Sequence, residues 1–120
     1  MTKLTSSITA LFATFLSIGI LGANANHTFT GEIMDVQCGM VKSHDLMMKQ
    51  KGSKDAAECT QACVRDGGKV ILYDPAHQKV YQLEDQQKAL QYAGQTVVVT
   101  GTYDNDNNTI RVESVQGSSQ

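Results

Sequence analysis

Three thiols and one imidazole are the residues of this chain with the strongest chemistry. Cys38 sits in "MDVQCGM", His44 follows in "SHDLMM", and Cys59 and Cys63 stand four residues apart in "ECTQACV". Thiolates and neutral imidazole hold zinc in tetrahedral structural sites, and three Cys with one His is one of the ordinary sets. Two thiols one helical turn apart share a face and can grip a single ion. Cys38 and His44 would then approach from the end of a strand and the loop that follows it. Met40, Met47 and Met48 surround His44. Thioethers beside thiolates suit copper(I), which is the alternative metal, although methionines in such a stretch more often fill gaps in a core. The spacing C-x5-H with C-x3-C is not a standard zinc-finger spacing.

Three cysteines cannot all pair within one chain, so a second reading has one disulfide and one thiol left over. In an oxidising compartment such a bridge would stabilise a small domain by about 2–4 kcal/mol. Cys38 with Cys59 or Cys63 would tie the first strand to a helix, whereas Cys59 with Cys63 would strain that helix. A third reading is inert burial, because Ala56, Cys59 and Cys63 make the stripe of a core-facing helix. The chain has no C-x-x-C, C-x-x-C-H, G-x-S-x-G, H-E-x-x-H or phosphate loop, so the usual redox, haem, hydrolase and nucleotide signatures are missing. A Cys with His44 as its base is the remaining catalytic arrangement. A domain this small offers little cleft for an acyl substrate, and the reading leans away from an enzyme with catalytic residues.

The elements that must position these residues follow from pattern. "HTFTGEIMDV" alternates as a half-buried strand, with Gly31 marking a bulge or sharp bend. "SKDAAECTQACVRDGG" predicts a helix capped by Ser53 or Asp55 and stopped at Gly67. "KVILYD" and "KVYQL" predict a hairpin across Asp74-Pro75. "EDQQKALQYAG" predicts a short helix with Asp85 as cap and Gly94 as stop. "QTVVVTGTY" and "TIRVESV" predict a second hairpin across "DNDNN", with Ile110 and Val112 inward and a bend at Gly101. The Asp104, Asp106, Asn108 alternation in that turn begins like a calcium loop. Thr109 stands where the turn glycine belongs and Val115 where the glutamate belongs, so a plain hairpin turn is expected.

Residues 1–25 read as an export signal: Lys3, an apolar run from Ile8 to Leu21, and Ala23-Asn24-Ala25 as a small-x-small cleavage site. The expected location is periplasmic or secreted, with no membrane attachment after cleavage. The remainder, Asn26 to Gln120, carries nine Lys and Arg against 12 Asp and Glu, a net charge of −3. Such a balance does not favour nucleic acid, whose phosphates need clustered cations. The expected partners are a metal ion or a small ligand, with a protein or an envelope component as alternatives, and the chain is expected to be a monomer.

The predicted order is strand, a long polar stretch with one helix, two strands, a short helix and two strands. Five strands with a helix between the third and fourth is the order of the OB-fold, a small mainly β barrel. On that reading an OB-like domain spans residues 26–115, residues 116–120 form a loose tail, and the cysteines lie in an enlarged first loop. The blocks "GEIMDVQC", "SHDLMM", "ECTQACV", "VILYD", "KVYQL" and "VVVTGTY", in this order, resemble a family of small secreted bacterial domains of unknown function, OB-fold-like in expectation. The resemblance covers about His27 to Val115 and implies a shared signature at Asp35, Cys38, His44, Cys59 and Cys63. A signature joining His to three Cys fits metal ligation better than a bridge.

Overall fold

The computed structural model describes residues 25–118. The expected export signal lies outside the described residues except for Ala25. Within them are five strands, β1 (His27–Asp35), β2 (Val70–Asp74), β3 (Lys79–Leu83), β4 (Thr96–Asp104) and β5 (Thr109–Gly117). Four helices connect them: α1 (Val36–Val41), α2 (His44–Lys51) and α3 (Ala56–Arg65) between β1 and β2, and α4 (Gln86–Leu90) between β3 and β4.

The strands close into a ring in the order β1-β2-β3-β5-β4. All pairings are antiparallel except the short β3–β5 contact, where Gln82 and Leu83 meet Thr109 and Ile110 in parallel. β1 is shared between two neighbours: residues from His27 to Glu32 pair with β4, and Glu32 to Asp35 pair with β2. Gly31 stands where the strand passes from one partner to the other. A Cβ there would lie 2.3 Å from the Tyr73 carbonyl oxygen, so only glycine permits this approach. The ring is filled by Ile33, Leu72, Val97, Val99 and Ile110, all with no exposed surface. Each such aliphatic side chain contributes roughly 1.5–3 kcal/mol on burial.

Gly101 marks a bulge rather than a simple bend. Gly101 faces Val112 while Thr100 faces Ser114, so Glu113 is the extra residue on β5. The bulge changes which residues point inward, from Ile110 before it to Val115 after it. β5 also runs past residue 115, because Val115, Gln116 and Gly117 pair with Val99, Val98 and Val97. The expected tail therefore begins two residues later than the sequence suggested.

The stretch between β1 and β2 departs most from expectation. One helix was expected there and three form. Asp35 caps α1 by accepting from the Gln37 amide at 2.8 Å, and Lys42 ends it in the left-handed region at φ 54°. Ser43 caps α2 by accepting from the Leu46 amide at 3.4 Å, and Gly52 ends it at φ 70°. These caps satisfy orphan backbone groups that pieces this short cannot pair internally. The helices cover the outer side of β1, which is why Ile33, Met34 and Asp35 are buried on both faces of the strand.

Candidate functional site

The carboxyl end of β1 and the helices above it bring the thiols together. α3 is capped by Asp55, which accepts from the Glu58 amide at 2.8 Å, and Glu58 reaches back to the Lys54 amide at 2.8 Å. This fixes the helix so that Cys59, Thr60 and Cys63 face inward with 0%, 0% and 4% of their surface exposed. Cys38, on α1 rather than at a strand end, is equally buried. Cys38 and Cys59 share a small apolar cluster with Met34, Met47 and Ile71.

Asp35 stands among these thiols. One carboxylate oxygen, Oδ2, caps α1; the other, Oδ1, is enclosed and has no well-formed hydrogen bond. The thiols of Cys38 and Cys63 are the polar groups beside it, and Cys38 also meets Cys59. Burial pushes the Cys63 thiol up to about 11; the charges of Asp35 and Cys59 add to this and the Lys51 ammonium opposes it. Cys38 is raised too, by burial first and then by hydrogen bonding to Asp35 and its charge. Both thiols therefore hold their protons at neutral pH, and a protonated thiol is a poor nucleophile.

His44 turns elsewhere. It opens α2, is 8% exposed, and places Nε2 2.9 Å from Glu32 Oε1. The approach has the length of an ion pair without the alignment of a hydrogen bond, so both ring nitrogens stay unsatisfied. The structure thus gathers Cys38, Cys59 and Cys63 around Asp35, and sets His44 against Glu32. All three cysteines are free thiols. Among the described residues, no three His, Cys, Asp or Glu side chains are arranged to hold a metal ion as they stand. The thiol stripe on α3 was visible from spacing. Glu32 and the buried hydroxyl of Thr60 were not, since nothing in a polar residue's local pattern tells which partner the fold will bring.

Residues 64–117 match the model of an uncharacterised family, described as a protein of unknown function, DUF5818. The match takes in β2 to β5 and α4. It begins one residue after Cys63, so it includes none of the thiols, Asp35 or His44. No curated protein and no solved structure matches the chain.

Proposed function

We propose that this chain is an exported, OB-like binding domain whose helical insertion binds one soft metal ion through the thiolates of Cys38, Cys59 and Cys63. Zinc is the first choice and copper(I) the alternative. The observation that carries the reading is the enclosure of three thiols around one carboxyl, with a buried imidazole on the same helical insertion whose Nδ1 has no partner. Burying so many polar groups with so few well-formed hydrogen bonds costs free energy that a cation would offset. The ion would also reverse the local proton preference, because a coordinated thiol is deprotonated outright. Binding would require the thiols to turn toward a common point and would release protons.

The fourth donor is Asp35 or His44. Asp35 already stands beside the thiols, and His44 completes the set that the sequence suggests. Met47, packed in the same cluster as Cys38 and Cys59, supports the copper alternative. The strand order supports the OB-like reading, and the pattern of residues 1–25 supports export.

A second reading rests on the contact of Cys38 with Cys59. In an oxidising compartment these two thiols would bridge, leaving Cys63 free and the domain a stapled module for another ligand. Native and denaturing mass spectra of protein purified without chelator separate the two. One metal ion per chain and three alkylated thiols is the expected result. A metal-free chain, lighter by two hydrogens and with one alkylated thiol, would sink the metal reading. Loss of metal in His44→Ala but not in Asp35→Asn, or the reverse, identifies the fourth donor.

A further inference from the structure

A cleft of about 700 Å³ opens at the other end of β1 from the thiols, between residues 27–31, the β2–β3 turn, and the end of β4 with its following turn. From Phe29 to Asp35 along an extended strand is about 20 Å, so the cleft is separate from the thiol cluster. Its volume is that of an ordinary small-molecule site.

The aromatic part of the cleft is rigid. Phe29 and Tyr81 meet edge to face at 5.2 Å between centroids, Tyr81 and Tyr103 at 5.5 Å, and Phe29 and Tyr103 at 6.1 Å. The Tyr103 hydroxyl donates to Asn108 Oδ1 at 2.9 Å, and the Asn108 amide donates to the Val80 carbonyl at 2.9 Å. The ring is therefore held by its far end as well as by its neighbours. The Lys79 ammonium lies 4.8 Å from the centroids of both tyrosine rings, where their faces engage its charge.

The polar part is close by and neutral or acidic. Asp74 accepts from the Ala76 amide at 2.9 Å, the His77 amide at 3.2 Å and His77 Nδ1 at 2.6 Å. Burial works to raise its carboxyl, but the hydrogen bonds from His77 and Ala76 outweigh it and leave the group below the usual carboxylate range. Asn105 and the hydroxyls of Thr28, Thr30 and Thr102 complete the rim.

These features select among ligand classes. Among the described residues no Lys or Arg lines the cleft, and the Lys79 ammonium beside it is held over the faces of Tyr81 and Tyr103, so a phosphate or carboxylate would have to draw that ammonium off the rings while approaching the Asp74 anion. A lipid chain would strand the hydroxyls and amide without partners. A ring with one apolar C–H face and a hydroxylated edge suits both the aromatic wall and the polar rim. We propose that the cleft is a carbohydrate subsite that seats one pyranose ring against Phe29 and Tyr103, with Asp74 and Asn105 accepting from and donating to its hydroxyls. The site stands whether or not the thiols hold a metal.

The test is an amide-detected NMR titration of the purified protein with cellobiose, with diacetylchitobiose, and with inorganic phosphate. Saturable shifts at Gly31, Ala76 and Asn105 with either disaccharide, in the millimolar range and absent at Cys59 and Cys63, are expected. Asn105→Ala, on an exposed turn where it leaves the fold intact, should weaken binding about tenfold, as should Asp74→Asn. No saturable shift with either sugar overturns the proposal. Unchanged affinity in Asn105→Ala overturns it too, as does tighter binding of phosphate at the same amides.

Discussion

Raising the pH should unfold this protein through its buried thiols, and the size of the effect follows from Cys63. Its folded thiol titrates at about 11 against an ordinary value of 9.0. In the unfolded chain the proton leaves near pH 9, while the folded state keeps it to about pH 11. Between these values the unfolded state binds fewer protons, so stability declines as pH rises; the contribution is fully present below pH 9. Two pH units at about 1.4 kcal/mol each give a loss on the order of 3 kcal/mol, a large share of the roughly 5–15 kcal/mol that holds a domain together. Cys38 shifts in the same direction and adds to the loss. Urea denaturation followed by circular dichroism, with reductant and chelator present, measures it at about pH 8, 9.5 and 11. Cys63 is not alone in contributing to stability at high pH, so the readout is the difference between the wild type and Cys63→Ala. The variant should lose markedly less stability with pH. Parallel pH dependences would refute the reasoning, because the burial and the Asp35 charge held to raise the thiol would then have no energetic consequence. If the thiols hold zinc, the zinc-loaded wild type should lose less stability between about pH 8 and 11 than the metal-free wild type, because thiolates already formed on a metal have no proton to lose.

The bulge and the buried hydroxyl give further tests. Gly101→Ala would put a Cβ 2.1 Å from the Arg111 carbonyl oxygen, and thermal melting should show a loss of about 3 kcal/mol; an unchanged midpoint would mean that the bulge yields. Thr60→Val removes an enclosed hydroxyl with no hydrogen-bond partner and keeps the shape, so denaturant midpoints should rise by the equivalent of about 1 kcal/mol. A drop instead would reveal a partner for that hydroxyl. If the thiols hold zinc, a chelator should lower the melting midpoint of protein purified without one, and added zinc should restore it.

The sheet was legible because its signals are local. Alternation in "HTFTGEIMDV" and "TIRVESV", a turn at Asp74-Pro75 and glycines at residues 31 and 101 report strands, hairpin and bends without reference to the rest of the chain. The caps Asp55 and Asp85 were legible for the same reason, each accepting from an amide three residues on. α1 and α2 were not. Neither presents an apolar stripe: α2 turns His44 and Met47 inward and leaves Leu46 exposed, so its pattern reads as polar loop. These helices exist because Asp35 and Ser43 start them, Lys42 and Gly52 stop them, and the outer side of β1 needs cover. Gln86 escaped notice too, although its side chain bonds the Val70 amide at 2.7 Å, the Val70 carbonyl at 2.9 Å and the Leu83 carbonyl at 2.8 Å, clamping α4 to two strands.

The site was half legible for a related reason. Spacing alone placed Cys59 and Cys63 on one helical face, and β1 is buried without a break from Ile33 to Asp35 where it passes under the helices. An ionisable residue at the end of a strand, beside a cysteine-bearing segment, was available to pattern reasoning. The orientation of His44 was not, since it depends on Glu32, a residue that alternation assigns to the opposite face of the same strand from Asp35. β1 thus separates the two polar groups along its length: Asp35, at the strand end, stands among the thiols, and Glu32, three residues earlier, holds the imidazole. If the thiolates hold a cation, His44 is contested between that cation and the Glu32 carboxylate. Glu32→Gln weakens the second competitor without touching a thiol. If His44 is the fourth donor, that change should tighten zinc binding measured by chelator competition, and if Asp35 is, it should leave the affinity unchanged.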